Sequence, residues 1–412
     1  MNTGGKFYKK TMNDVPIRGK IVLVRADYNV PLTRDGKVAD DYRIRSSIPT
    51  INKLLEYRCK VIIVSHLGRP EGKVNPEFTL EPAAQRLAEL LGKPVRFVDR
   101  CVGDKARMAI KRAPKISVTV LENLRFHPEE EANDMQFAQR LAKDSGADYF
   151  VQDGFGVVHR AHASTAAITN YLPAVSGLLL EHEYMIITEA MKHPARPLVA
   201  VMGGVKVSDK IQVIEAMIPV ADTIIIGGAM ANTFLAHKKY RMGKSKIEAD
   251  QDKVIESIYK AAAKKVGEDN VDSFIVLPVD LGTGTSLEPT ATRRNVSLLG
   301  VAEDAYALDI GPKSVEKMLD IVHKARTVIW NGTLGYAEVP AFATASTALA
   351  KAIAGHTEVD SIIGGGDTAD FAINWDPGHG SNFTHVSTGG GASLELMSGA
   401  KLPGIEALLD AR

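Results

Sequence analysis

The stretch KIVLVRADYNVP, residues 20–31, carries the reading of the fold. Ile21 to Val24 is an unbroken apolar run, three of its four residues β-branched, and a polar loop bearing Asp27 and Asn29 follows at once. A strand that alternates apolar and polar residues has one wet face; a strand apolar at every position is buried on both, as in a parallel sheet covered by helices. The same composition recurs as KVIIVSH (60–66), PVRFV (94–98), SVTVLENL (117–124) and DYFVQDGF (148–155). After residue 195 it returns as PLVAVMGG (197–204), TIIIGG (223–228), SFIVLPVD (273–280), TVIWNG (327–332) and DSIIGGGD (360–367). Between these runs lie segments with apolar residues at i, i+3 and i+4, among them EPAAQRLAELLG (81–92), NDMQFAQRLAKDSG (133–146), SVEKMLDIVHKA (314–325) and TASTALAKAIAG (344–355). Alternating strands and helices of this kind predict an α/β protein.

The 412 residues exceed what one core organises, so the expectation is two lobes, each a doubly wound parallel sheet flanked by helices and joined by a helical hinge. SGLLLEHEYMIITEAMKHPARP (176–197), helical in pattern and ended by Pro194 and Pro197, is the expected connection, with its helix at about 178–192. The lobes are then residues 1–180 and 181–402. No apolar run reaches the ~18 residues of a spanning helix, and the polar, basic start MNTGGKFYKK has no signal-peptide core. Two cysteines, Cys59 and Cys101, are too few for a zinc cluster or a disulfide framework and suit a reducing cytoplasm. A net charge of +1 hides a division: residues 1–180 hold 28 Lys and Arg against 20 Asp and Glu, residues 181–412 hold 22 against 29. With no dense basic run and no aromatic stripe beside it, the basic half suits a small polyanion better than nucleic acid.

Ligands of open α/β sheets bind beyond the carboxyl ends of the strands, and there the two halves differ. In the first, strand ends carry Asp27 and Asn29, then His66 and Arg69 in SHLGRP, then Arg125 in LENLRFH, then His159, Arg160 and His162 in VVHRAHAS. Several arginines aimed at one crevice repel one another unless an anion joins them, and guanidinium forks match phosphate and carboxylate geometry. His159 and His162 have no nearby third metal ligand, and Arg160 between them opposes a cation; the trio reads as an anion patch contacted by Arg160, although either imidazole alone reads equally as a hydrogen-bonded loop residue. In the second half, strand ends carry glycines: MGGVKVSDK, IGGAM, IWNGTLGYAE, IGGGDTAD and STGGGAS. Repeated glycine turns before helices suit a nucleotide or polyphosphate. MGKS at 242–245 is not a Walker motif, because Lys238 stands at its first glycine position. Lys206 and Lys210 are expected one turn apart on one helix face, and Asp367 is placed to hold Mg²⁺ beside phosphates.

VRADYNVP, SHLGRP, LENLRFH, FGVVHRAH, GGVKVSDKI, WNGTLG, GGGDT and VSTGGGASLE, in this order and from about residue 7 to 405, resemble the phosphoglycerate kinase family. The resemblance implies a bilobal monomer that transfers the acyl phosphate of 1,3-bisphosphoglycerate to ADP, reversibly, giving 3-phosphoglycerate and ATP with Mg²⁺, by lobe closure and in-line transfer. It implies no nucleic-acid or membrane partner. Carried over by position, it places Asp27, Asn29, Arg43, His66, Arg69, Arg125 and Arg160 around 3-phosphoglycerate, with Arg43 reaching the transferring group. It places Lys206 and Lys210 at the nucleotide phosphates, Glu338 at the ribose, Gly364, Gly365, Gly366, Asp367 and Thr368 beneath the phosphates, and Asp367 at the metal. Thr388 to Gly391 resemble an interlobe hinge and a phosphate-facing helix start, and a C-terminal helix at about 403–412 returns to the first lobe. Thr333 and Ala337 stand where the family commonly has proline and phenylalanine, and NWDPGHGSN (374–382) is unusual beside it.

Overall fold

The computed structural model describes residues 6–411, in two compact units. One unit runs to Met185 and resumes at Lys401; the other is Ile186–Ala400. The division, between Met185 and Ile186, falls inside the helix Leu178–Lys192, five residues beyond the expected 180/181.

The first unit is built on a six-stranded sheet in the order β3-β4-β2-β1-β5-β6, with every adjacent pair parallel. Its strands are β1 (Ile21–Arg25), β2 (Lys60–Val64), β3 (Val95–Val98), β4 (Ser117–Leu121), β5 (Tyr149–Gln152) and β6 (Ala174–Ser176). All five residues of β2 are buried, as its composition requires of a strand covered on both faces. Val22, Val24, Val61, Ile63, Val118 and Val120 form one core with Ile44, Ile51 and Leu54 of the helix Tyr42–Glu56 and with Ala83, Ala84 and Leu87 of the helix Glu81–Leu91. The latter helix stops at Gly92, whose φ of 60° is the left-handed conformation that closes a helix without a side-chain clash. Strand β6 escaped the sequence reading because three residues make no periodic signal.

In the second unit a parallel sheet has the order β15-β14-β13-β7-β8-β9, from β7 (Leu198–Met202), β8 (Thr223–Ile226), β9 (Ile275–Val276), β13 (Thr327–Asn331), β14 (Asp360–Gly364) and β15 (His385–Val386). A feature absent from the sequence expectation is a separate antiparallel sheet, β11-β10-β12, of β10 (Asp280–Gly284), β11 (Arg294–Ser297) and β12 (Tyr306–Ile310). SFIVLPVD therefore supplies the end of one sheet and the start of another. The C-terminal helix is also shorter than expected, Pro403–Glu406. The backbone beyond it pairs instead: Leu409 N donates to Ala174 O, Ala411 N to Tyr8 O, and Lys9 Nζ to the Asp410 carboxylate at 2.6 Å. NWDPGHGSN is a loop gathered on Asp376, whose carboxylate accepts from Gly378 N, Gly380 N, Asn382 N and Asn382 Nδ2. Among the described residues no helix is long and apolar enough to cross a membrane.

The helix Leu178–Lys192 is anchored at its first turn by a buried carboxyl at the end of β5. Asp153 Oδ1 accepts from Thr50 Oγ1 (2.9 Å) and Leu179 N (3.0 Å), and Leu178 N donates to Thr50 Oγ1. Gly177 is required here, since a Cβ would lie 2.1 Å from Asp153 Oδ1. Burial pushes the Asp153 carboxyl up to about 7. An unfolded Asp ionises near ~3.9, so the stability this proton-bound group contributes is complete below that value and is lost as pH rises towards 7. Asp153→Asn keeps an accepting oxygen and cannot ionise. Its stability relative to the parent, read from urea midpoints, is expected to improve steadily from about pH 4 to about pH 7 and then level off; a pH-independent difference contradicts this.

Candidate active site

Parallel pairing brings the carboxyl ends of β1, β2, β4 and β5 to one edge of the first sheet. Asp27, just beyond β1, is buried there, and its two oxygens are differently employed. Oδ2 takes a 2.8 Å bond from Arg43 Nη1, and Oδ1 accepts from Asn29 N at 3.1 Å and lies 3.9 Å from His66 Nδ1. Arg43 reaches in from the second position of the helix Tyr42–Glu56. The Asn29 side chain accepts from Gly68 N (2.8 Å), and Arg125 Nη1 donates to Gly68 O (2.8 Å), so the loops after β1, β2 and β4 are tied together. Asn123 completes the tie by bonding Leu67 through both N–H and C=O. Arg160 is exposed, its Nε directed at His159 Nε2 (3.1 Å), and its backbone carbonyl is held by Thr165 Oγ1. Arg69 is exposed in the β2 loop. The structure thus gathers Asp27, Asn29, His66, Arg43 and Arg125 into one connected cluster, with Arg69 and Arg160 in the neighbouring loops.

A layer beneath this cluster was invisible to sequence reasoning. Arg25, the last residue of β1, is buried; its Nε donates to Ser164 Oγ (2.8 Å), Nη2 lies 3.2 Å from His66 Nδ1, and Nη1 bonds Ala26 O. Ser164 Oγ in turn donates to Glu130 Oε1 (2.5 Å), and Ser164 N donates to Oε2 (3.1 Å). Glu130 also lies 4.0 Å from His162 Nδ1. Arg25 could have been suspected, as the one charge in an apolar run; Glu130 and Ser164 carry no local signal.

The electrostatics follow from this packing. Burial pushes the Asp27 carboxyl up, but Arg43, His66 and Arg25 outweigh it and hold the group below its ordinary value, so it stays an anion. Burial, reinforced by Arg25, Arg125 and Arg43, drives His66 well below the usual imidazole range. His159 and His162 are lowered to about 4, by burial first and then by neighbouring arginines. Three neutral imidazoles beside four or more guanidinium groups leave positive charge in excess and hydrogen-bond donors in place, the arrangement for an anion.

In the second unit the expected helix carrying both Lys206 and Lys210 is not formed. Residues 203–210 are a looped segment and the helix is Ile211–Met217. The physical reason is that the groups such a helix would join are bonded elsewhere: Gly204 O accepts from Met230 N, and Ser208 N, four residues on, donates to Glu248 Oε2 at 3.0 Å. Lys206 is exposed, whereas Lys210 is buried, its Nζ donating to Gly203 O (2.7 Å) and Asn331 O (3.0 Å). Burial lowers the Lys210 ammonium to about 8, against the pull of Asp367 and Asp209. A Cβ on Gly332 would stand 2.4 Å from that Nζ, which explains the glycine of WNG. Gly364 ends β14, Gly365 turns at φ 90°, and the helix Gly366–Trp375 opens with Asp367 exposed in its first turn. Thr368 is buried and accepts from Gly332 N at 2.6 Å, locking the β13 and β14 loops together. Asn331, missed by the sequence reading, is buried with its Nδ2 unpartnered, 3.0 Å from where a Gly365 Cβ would stand. Glu338 is exposed on the segment after Leu334. The helix Gly391–Met397 begins after Thr388, which is buried. Among the described residues no three His, Cys, Asp or Glu side chains form a metal cluster. One exposed carboxylate at Asp367 among glycine N–H groups fits Mg²⁺, which keeps waters and phosphate oxygens as most of its ligands.

Among the described residues Ser164 is the side chain that bonds both Arg25 and Glu130. Ser164→Ala removes both of its side-chain bonds and is expected to lower unfolding free energy by about 1–3 kcal/mol, measured as a shift in urea midpoint at unchanged slope; no shift contradicts the bridging role.

Comparison with known proteins bears on both clusters. A family model described as phosphoglycerate kinase matches residues 12–400. Phosphoglycerate kinases of Pelotomaculum thermopropionicum and Moorella thermoacetica are 46% and 45% identical to the chain, each alignment covering 98% of it and 99% of the relative. Solved phosphoglycerate kinases of Coxiella burnetii and Pyrococcus horikoshii superpose with TM-scores of 0.81 and 0.82 at 35% and 31% identity, covering 97% of this chain and 98% of each. With an arginine cluster on one sheet edge, glycine loops on the other, and such agreement along nearly its whole length, the chain belongs to the phosphoglycerate kinase family of phosphotransferases.

Proposed function

We propose that the chain transfers the acyl phosphate of 1,3-bisphosphoglycerate to ADP, reversibly, with 3-phosphoglycerate held by Asp27, Asn29, Arg43, His66, Arg69, Arg125 and Arg160, and the nucleotide by Lys206, Lys210, Glu338 and Gly364 to Thr368. The observation that carries this reading is the knot of Arg43, Asp27, Asn29, His66 and Arg125 at the strand ends of the first sheet, a constellation that orients a small anion through several donors at once.

In the ATP-consuming direction the attacking atom is a carboxylate oxygen of 3-phosphoglycerate. It forms the new P–O bond as the bond from the γ-phosphorus to the bridging oxygen breaks, and ADP leaves with that electron pair. No proton is moved, so no general base is needed, and the rate comes from alignment and from stabilising charge on the equatorial oxygens. Arg43 is the donor proposed to reach the transferring group from the glycerate side. Lys210 is proposed for the nucleotide side: an ammonium has three donors, two are occupied by carbonyls, and one is left for phosphate. Asn331 Nδ2 is a further donor beside the glycine loop. Mg²⁺ at Asp367 would, when bound, neutralise phosphate charge and hold the phosphate chain in line. Because the two ligands are assigned to separate units, transfer requires those units to bring them together, which also excludes water from the acyl phosphate. The proposal takes the chain as a monomer, and the two buried free thiols, Cys59 and Cys101, support a reducing cytoplasm.

A coupled assay with 3-phosphoglycerate, ATP and Mg²⁺ tests the reading, and absence of turnover refutes it. Arg160→Ala is expected to weaken 3-phosphoglycerate binding by roughly ten- to a hundredfold, the loss of a charge-assisted bond, with ADP affinity unchanged by calorimetry. Lys210→Ala is expected to lower kcat by about 10² to 10³ with a smaller effect on ADP affinity, as for other preorganised donors; near-parental kcat removes Lys210 from the mechanism.

A further inference from the structure

The second unit holds a buried ion pair that neither cluster above uses, Arg293 with Asp309. Arg293 precedes β11 and Asp309 lies in β12, and β10 runs between those strands. Where the guanidinium crosses β10 the residue is Gly282, which pairs with Asp309 on one side and Asn295 on the other. A Cβ on Gly282 would lie 2.5 Å from Arg293 Cζ and 2.6 Å from Nη2. The glycine is therefore the opening through which the arginine reaches the carboxylate.

The guanidinium then makes four bonds. Nη1 donates to Asp309 Oδ2 (2.5 Å) and Ala341 O (3.1 Å), Nη2 to Ile310 O (2.8 Å), and Nε to Asn295 Oδ1 (2.8 Å). Asp309 also accepts from Ala345 N (3.2 Å) and Ile310 N (2.9 Å), and its side chain is fully buried. These partners are not scattered. Gly335 packs so closely on the pair's far side that a Cβ there would stand 2.5 Å from Asp309 Oδ1 and 2.3 Å from Phe342 O. Tyr336 N donates to Leu308 O, next to Asp309. The pair thus touches the segment 335–345 at its start (Gly335), at Ala341 and at its end (Ala345), while Glu338 in its middle stays exposed.

A buried ion pair contributes little net stability against apolar residues of equal volume, because desolvation offsets attraction. What it does provide is geometry: a planar fork with fixed donors holds several carbonyls in one arrangement. We infer that Arg293 and Asp309 are positioning residues for the nucleotide, fixing the 335–345 segment so that Glu338 is presented in one place to the ribose. This rests on the reading of Glu338 as a nucleotide contact. Neither residue touches the reacting atoms; both act through the loop.

Four variants of the whole chain test it: Arg293→Met, which removes the fork; Arg293→Lys, which puts one ammonium in its place; Gly282→Ala, which keeps both charges but closes the opening; and Glu338→Ala, which probes the contact itself. Initial rates with ATP and 3-phosphoglycerate varied in turn, and melting temperatures, are the readouts. Arg293→Met and Gly282→Ala are expected to raise KM for ATP by roughly tenfold, with KM for 3-phosphoglycerate within about twofold of the parent. Arg293→Lys should recover only part of the loss, because one ammonium cannot reproduce the fork. If Glu338→Ala raises KM for ATP while Gly282→Ala and every folded Arg293 variant leave it unchanged and lower only the melting temperature, the pair is merely structural and the inference is wrong, with the nucleotide reading intact. If Glu338→Ala leaves KM for ATP unchanged, that reading fails and takes the inference with it.

Discussion

All strands of the two six-stranded sheets run in the same direction within their sheet, and the rest of the molecule follows from that condition. Parallel strands require a crossover between them, so the strands of each sheet end in loops at the same edge, most of which lead into a helix. Residues far apart in the chain, such as Asp27, His66, Arg125 and Arg160, are thereby delivered to one rim without any local sequence relation. The same condition places Gly203, Gly332 and Gly365 on one rim of the other sheet, where the lack of side chains lets the loops at Gly203 and Gly332 close on the Lys210 ammonium and Gly365 pack on the Asn331 side chain.

Bringing charges together at a rim carries an electrostatic cost, and the two units meet it differently. The first disperses it through layers. Asp27 balances Arg43 directly, while Glu130 reaches Arg25 through the Ser164 hydroxyl. The imidazoles are held neutral by burial, so they donate and accept without adding positive charge. Glu131 pairs with Arg125 at 3.1 Å from a more exposed position. At its rim the second unit instead buries one lysine and solvates it with the carbonyls of Gly203, just beyond β7, and Asn331, which ends β13. Lowering the ammonium to about 8 leaves it charged at neutral pH yet poorly compensated, which is a state that a phosphate oxygen improves.

The parts of the fold hidden from the sequence share physical causes. Strands β6 and β15 are too short for periodicity to show, and β11, whose residues are mostly exposed, lacks the apolar run by which the parallel strands announce themselves. The three-stranded sheet depends instead on contacts between strands, with Gly282 shaped to Arg293 and Asp309, none of which has a spacing signature. The loop of Lys206 and Lys210 looked helical because their separation fits a helical turn; Gly204 O and Ser208 N, which a helix would join, are bonded to Met230 N and Glu248 instead. The resemblance implied a C-terminal helix to about residue 412, yet the helix stops at Glu406 and the last backbone groups pair with Tyr8 and Ala174.

By itself the sequence determined the α/β class and the residue types at each strand end, because continuous apolar runs and the glycine and arginine that follow them are local properties of the chain. Tertiary structure alone decided which of those residues meet and in what state of charge. Arg43 bonds Asp27 from a helix that begins beyond it, Asp153 caps a helix 25 residues later, Glu130 acquires Arg25 through Ser164, and Arg293 finds Asp309 across a glycine. Such pairings are long-range contacts whose energies arise only when burial removes water, and burial is a property of the packed sheet and its helices, not of any stretch of residues read alone.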